Sequence, residues 1–155
     1  MKNYKNIKKI LFVCHGNICR SPMAEFVFKN MLDLQNINHL FEVDSAATST
    51  DEIGSDVHRG TQNILAQNNI PCGKHRARQM TKADYEKYDL LIGMDNHNVQ
   101  NMKHICSGDP EGKIRMFLDR SIADPWYTGN FEKTYRDVKE GCTNLLKELN
   151  NDSLK

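Results

Sequence analysis

The sequence predicts a single α/β domain, doubly wound: a four-stranded parallel sheet with helices on both faces. Three observations carry that prediction. Short apolar runs alternate along the chain with longer stretches whose apolar residues recur at three- and four-residue spacing. Strand and helix come by turns, the order that parallel pairing through helical crossovers requires. At 155 residues, with no repeat, low-complexity segment or linker, the chain suits one domain over residues 1–155 with a core of its own.

Each element has its own signal. Lys9–Val13 is an apolar run and the first strand. A helix follows from Pro22 to about Leu34, with Ser21 as its expected N-cap and Pro22 at the first helical position. Met23, Ala24, Val27, Phe28, Met31 and Leu32 share one face of it, which should be buried. Phe41–Ala46 reads as the second strand, ending in a polar loop through Gly54. Val57–Asn68 is a weaker helix, closed by Asn68-Asn69 and Pro71. Thr81 and Asp84 have capping-box spacing and open a short helix through Tyr88. Asp89–Met94 is the third strand, Asn96–Ile105 the next helix, and Ser107-Gly108-Asp109-Pro110 a break. Lys113–Leu118 makes the fourth strand. Phe131–Leu149 is a long terminal helix with Tyr135, Val138, Cys142, Leu145 and Leu149 on one side.

Right-handed crossovers bring the C-terminal ends of all the strands to one edge, where open α/β sheets bind ligands. Cys14, Ser45, Asp95 and the loop after Leu118 fall at that edge. Composition narrows the ligand. With 21 basic and 20 acidic residues the net charge is +1, which argues against nucleic acid or a membrane surface as the main partner. A basic start (Lys2, Lys5, Lys8, Lys9) precedes an apolar run too short for a signal peptide, and no stretch is long enough to span a bilayer. A soluble, cytoplasmic monomer is expected. The five cysteines form neither a disulfide framework nor a C-x-x-C zinc pattern, so no metal or cofactor is expected. Cys72, Cys106 and Cys142 are expected as buried thiols, and His39, His58, His97 and His104 on the surface.

The chemistry concentrates in Cys14-His15-Gly16-Asn17-Ile18-Cys19-Arg20-Ser21-Pro22. A strand delivers Cys14 to a tight loop that runs into a helix N-terminus. Five residues separate Cys14 from Arg20, enough for the backbone to wrap a tetrahedral oxyanion. Successive N–H groups of such a loop form an anion nest, reinforced by the helix dipole. The same field favours a thiolate on Cys14, the reactive form of cysteine. Arg20 adds a planar fork suited to two phosphate oxygens. Ser21 can donate a hydrogen bond to the sulfur. Asn17 tolerates a left-handed conformation in mid-loop and would be held by neighbours such as Ser45 or His75. Thiolate attack on a phosphate ester also needs an acid for the leaving oxygen. Asp124, beside Pro125 on the loop after the fourth strand, is the candidate, and the adjoining Trp126 and Tyr127 suit the wall of a cleft for an aromatic ring. Cys19 is either a small buried residue or the partner of a protective disulfide with Cys14 under peroxide.

The loop resembles the signature of the low-molecular-weight protein tyrosine phosphatases. The likeness continues in Asp44-Ser45-Ala46, in His75-Arg76-Ala77-Arg78-Gln79, in Met94-Asp95 and in Asp124-Pro125-Trp126-Tyr127, in the family's order and over nearly the whole chain. The resemblance implies Cys14 as nucleophile, Arg20 as phosphate and transition-state binder, and Asp124 as general acid. It implies Asn17, Ser21, Ser45 and His75 as the network that holds the loop, with Asp95 in a structural contact. Phosphotyrosine-containing proteins are the implied substrates, and phosphate or similar oxyanions the implied inhibitors. One departure concerns the rim. Where the family usually carries a large aromatic, this chain has Thr50-Asp51-Glu52, so Asp51 should disfavour acidic peptides and favour basic ones. His15 is expected only to shape the rim.

Three other readings share these residues. Arsenate reduction on the same fold needs two further cysteines close together, whereas Cys72 and Cys106 are far apart. Protein arginine phosphatases of the superfamily resemble the signature but carry Thr where Ile18 stands. A non-catalytic phosphate-binding module would not need Cys14, Arg20 and Asp124 together.

Overall fold

The computed structural model describes residues 7–153, with side chains through Asn150; Lys2 and Lys5 of the basic start lie outside the described residues. Four strands, β1 (Lys9–Cys14), β2 (Glu42–Ala47), β3 (Leu90–Gly93) and β4 (Ile114–Met116), form one sheet in the order β2-β1-β3-β4. Every neighbouring pair is parallel. The helices are α1 (Arg20–Leu34), α2 (Arg59–Gln67), α3 (Lys82–Lys87), α4 (Asn96–Ile105), α5 (Pro125–Thr128) and α6 (Phe131–Ser153).

The two central strands, β1 and β3, are apolar without alternation because both faces of the sheet are covered there. Along β1, Ile10, Leu11, Phe12 and Val13 are all fully buried. Ile10 and Phe12 join Ile92 in a core filled by Met23 and Phe28 of α1, Leu65 of α2 and Val138 and Leu145 of α6. Leu11 and Val13, pointing the other way, join Leu91 in a second core with Tyr85 of α3 and Met102 of α4. Phe12 is the centre of the first core, its ring 6.0 Å from Phe28 and 5.2 Å from Phe117.

Strand order reverses at β1, whose neighbours are β2 and β3, and the crevice beyond their C-terminal ends is the expected ligand position. Cys14 ends β1 there, paired with Ala47 at the end of β2.

Several local expectations are corrected. Helix α1 starts at Arg20, and its N-cap position is Cys19, which makes no side-chain capping bond. Ser21 does not cap the helix because its hydroxyl is engaged by Cys14 and Asn17. Rather than one face, nearly the whole first half of α1 is buried, from Arg20 through Phe28, since the sheet, α2 and α6 surround it. Helix α2 begins two residues later than Val57, with His58 as its cap. A 3-10 turn at Asn38–Leu40 and the short α5 had no apolar period to announce them. Cys106 and Cys142 are buried, but Cys72 is exposed, on an irregular surface segment after Pro71. His39, His97 and His104 are exposed as expected, whereas His58 is partly buried among aromatic rings.

Candidate active site

Three donor groups converge on the Cys14 sulfur. Ser21 Oγ lies 3.1 Å from it, and the main-chain N–H groups of Asn17 and Ser21 donate to it at 3.3 and 3.4 Å. Hydrogen bonds of this kind disperse negative charge on sulfur, as does the N-terminus of α1, which follows directly. Asn17 Nδ2 donates into Ser21 Oγ at 2.9 Å. That leaves the single Ser21 proton for the sulfur, its other acceptor, Ala46 O, being farther at 3.4 Å.

Asn17 is the pin of the loop. It has φ of 58° and is completely buried. Its Nδ2 also donates to Ser45 Oγ at 3.0 Å, and its Oδ1 accepts from the main chain of Arg78 at 3.2 Å. His75 does not bond the Asn17 side chain; its Nε2 donates to the Asn17 carbonyl at 3.0 Å. Behind Ser45 stands Glu25, a buried carboxylate on α1. It accepts 2.6 Å hydrogen bonds from Ser45 Oγ and Lys29 Nζ, and its Oε1 lies 3.9 Å from His75 Nδ1. Sequence reasoning missed Glu25; its signal was an acid inside an apolar helix with a lysine one turn on.

Arg20 is buried and turned toward acceptors. Its Nη1 donates to Asp95 Oδ2 at 2.7 Å and to the Ile122 carbonyl at 2.9 Å, and Nη2 reaches Asp124 Oδ2 at 3.4 Å. Burial lowers the guanidinium's proton affinity, but Cys14, the Asp95 bond and Asp124 outweigh it, and the group stays above the ordinary arginine value. Nε is buried with no partner among the described residues. Asp95 is itself fixed, since its Oδ1 accepts from Asn98 N and caps α4. Asp124 caps α5 in the same way, its Oδ1 accepting from Trp126 N at 3.0 Å.

Above the sulfur opens a cavity of about 160 Å³, lined by Cys14, His15, Gly16, Ile18 and Cys19 on the loop side. Asp51, Glu52, Asp124, Trp126 and Tyr127 line the rest, and Arg20 is not among the lining residues. Cys19 is buried beside Cys14. Burial, then the neighbouring Cys14 and Asp124, outweigh Arg20 and push its thiol up to about 12. At the rim, His15 Nε2 donates to Asp51 Oδ2 at 2.8 Å, so His15 is tied to the departure site rather than merely shaping the edge. Glu52 comes within 3.6 Å of where a Cβ on Gly16 would stand. The candidates from six separate segments thus meet at one sheet edge.

A sequence profile described as low molecular weight phosphotyrosine protein phosphatase matches residues 9–155. The chain belongs to that family. It is 35% identical over 147 residues to the low molecular weight protein-tyrosine-phosphatase YfkJ of Bacillus subtilis, covering 90% of this chain and 94% of the relative. The crystal structure of YfkJ superposes with a TM-score of 0.91 at 34% identity, over 95% of this chain and 97% of that one. The low molecular weight protein tyrosine phosphatase of Streptococcus pyogenes has a TM-score of 0.86 at 42% identity, over 92% and 93%. A low molecular weight phosphotyrosine protein phosphatase of Gallus gallus is 36% identical over 149 residues, 91% of this chain and 92% of the relative. The protein is accordingly a phosphatase acting on phosphotyrosine, with phosphoproteins as its substrate class. Among the described residues no helix is long and apolar enough to cross a membrane.

Within this phosphatase, the roles of two residues escaped sequence reasoning for one reason. Glu25 and His58 reach partners far away in sequence, Glu25 at Ser45 and His75 and His58 at Phe131 and Trp126. Local spacing carries no record of such pairings.

Proposed function

We propose that the chain hydrolyses phosphotyrosine in proteins, and small aryl phosphates, through a cysteinyl-phosphate on Cys14. The observation that carries this reading is the Cys14 sulfur, held by three donors at the floor of a cavity that Asp124 and Trp126 also line. In the first step the thiolate attacks phosphorus, an S–P bond forms and the P–O bond to the tyrosyl oxygen breaks. The proton of Asp124 goes to that oxygen, so the phenol leaves neutral. In the second step Asp124, now a carboxylate, takes a proton from water as the water oxygen attacks phosphorus. The S–P bond breaks, releasing phosphate and the thiolate.

Charge on the transferring group is met by the loop amides and by Arg20. The orphan Nε of Arg20 is a donor in want of an acceptor, and a buried donor left so costs about 1–3 kcal/mol. A bound phosphate supplies that acceptor. Ile18 in place of Thr favours phosphotyrosine over phosphoarginine. Inorganic phosphate, held by the same donors, should inhibit competitively.

Two finer features follow. Asp51 and Glu52 line the mouth, and no lysine or arginine is among its lining residues, which favours substrates with lysine or arginine near the phosphotyrosine. Cys19 serves as the resolving thiol when peroxide converts Cys14 to the sulfenic acid: the Cys19 sulfur attacks, an S–S bond forms and water leaves.

The test uses Asp124→Ala. Its kcat should fall by about 10²–10⁴, most for poorly leaving alcohols and least for p-nitrophenyl phosphate. Mass spectrometry during turnover should find the phosphoryl group on Cys14. An unchanged rate would remove Asp124 from its role. Faster turnover of phosphoarginine than phosphotyrosine peptides would replace the substrate assignment.

A further inference from the structure

His58 sits where three parts of the site meet. Its main-chain N–H donates to the carbonyl of Ile18 at 2.8 Å, fastening it to the phosphate loop. Its Nδ1 accepts from Gly60 N at 2.9 Å, so the ring proton sits on Nε2 and the ring plane is fixed at the start of α2. One side of the ring stacks on Phe131 at 5.0 Å and 20° between planes. Its other neighbour is Trp126, edge to face at 5.7 Å and 82°.

Phe131, partly buried at the start of α6, backs this stack. It lies so close to α2 that a Cβ on Gly60 would stand 2.5 Å from its ring, and only glycine permits that approach. Trp126 is less well held. It is 55% exposed and rides on the short α5, which is a single turn. Its contact with another ring, among the described residues, is the one with His58. The wall of the cleft therefore leans on a histidine whose backbone is bonded to the phosphate loop.

We propose that His58 is a positioning residue for the substrate's aromatic ring: it sets the place of Trp126 relative to the phosphate loop. The proposal rests on the phosphatase reading of the cavity and adds a residue that touches neither phosphate nor sulfur. Its effect falls on binding of the ring, not on the loop that holds phosphate or on the bond-breaking step. A ring free to swing no longer meets the substrate preorganised.

The experiment separates the ring from the cap. His58→Asn keeps an acceptor for Gly60 N but removes the stack; His58→Phe keeps the ring but removes the acceptor. Trp126 is the single tryptophan of the chain, so emission reads this wall alone. His58→Asn should red-shift the emission and increase acrylamide quenching. It should raise KM for phosphotyrosine about three- to tenfold, the scale of one aromatic pair, with kcat within about twofold. The inhibition constant of inorganic phosphate should stay within about twofold, since phosphate needs no wall. His58→Phe should stay close to the wild type in KM and emission. Unchanged emission and KM in His58→Asn would overturn the proposal, as would equal damage in His58→Phe. A phosphate inhibition constant rising in step with KM would do so too, by moving the effect to the loop through Ile18. A wild-type protein inactive on every aryl phosphate would sink the parent reading instead, while emission would still decide whether His58 holds the indole.

Discussion

The phosphate loop and the rim above it are built on opposite terms. In the loop the side chains of Asn17, Arg20 and Ser21 are buried and bonded, several to partners more than 20 residues away. At the rim the side chains of His15 and Asp51 are 51% and 67% exposed, Trp126 stands half out and Tyr127 is 82% exposed. A cradle that must present donors at fixed positions is over-determined by its neighbours. A lip that must admit many protein segments is left to a few adjustable contacts. Substitutions should accordingly cost rate and stability in the loop, and only selectivity at the rim.

The largest effect should come from Cys14→Ser. It should reduce aryl phosphate turnover toward the background, a loss on the order of 10⁶ for removal of a nucleophile. A variant that kept its rate would dissolve the contrast at its root.

Asn17→Ala tests whether the loop is held as tightly as its bonds imply. It leaves the Arg78 N–H without its acceptor, takes one donor from each of Ser21 and Ser45 in a buried site and asks alanine to adopt φ of 58°. Urea unfolding should show a loss of about 2–4 kcal/mol, and kcat should fall by up to about 10² as the donors drift. A stability within about 0.5 kcal/mol of the wild type would mean the network is decorative.

At the rim, Asp51→Lys combined with Glu52→Lys should reverse preference between lysine-flanked and glutamate-flanked phosphotyrosine peptides. Each rim charge should change kcat/KM by about two- to fivefold, and the effect should shrink in added salt. No change at low salt would assign selectivity to the aromatics instead.

The smallest expected effect is on pH behaviour at Cys19. The fold holds its thiol proton to about 12, above the ordinary 9.0, so the folded chain binds that proton where the unfolded chain has lost it. This contribution to stability is present below pH 9 and is lost as pH rises toward 12. Alkylation of Cys19 in the native protein should therefore stay slow until strongly alkaline pH. In denaturant it should begin near the ordinary thiol range. Equal onset in both states would place Cys19 nearer to solvent than its burial indicates.

Much of the fold was legible because strands and helices leave local periods. β1 was readable from Ile10 through Val13, and α6 from Tyr135, Val138, Cys142 and Leu145, all of which are buried. Boundaries shifted where a side chain had a better use elsewhere. Ser21 is a favourable cap by type, but its hydroxyl belongs to Cys14, so α1 starts without it. Cys72 is a buried residue by type, yet no element of the fold covers it.

What the sequence determined by itself is whatever lies within a few residues of chain. The strand-to-helix turn, its run of amides, the thiol, the arginine and the acid next to its proline are all local patterns. Tertiary structure alone decided how distant side chains were paired. It set Glu25 beneath Ser45, Asp95 against Arg20, His15 on Asp51 and His58 between Phe131 and Trp126. The physical reason is that periodicity records which face of a segment avoids water, whereas a bond across the fold depends on where two segments end up.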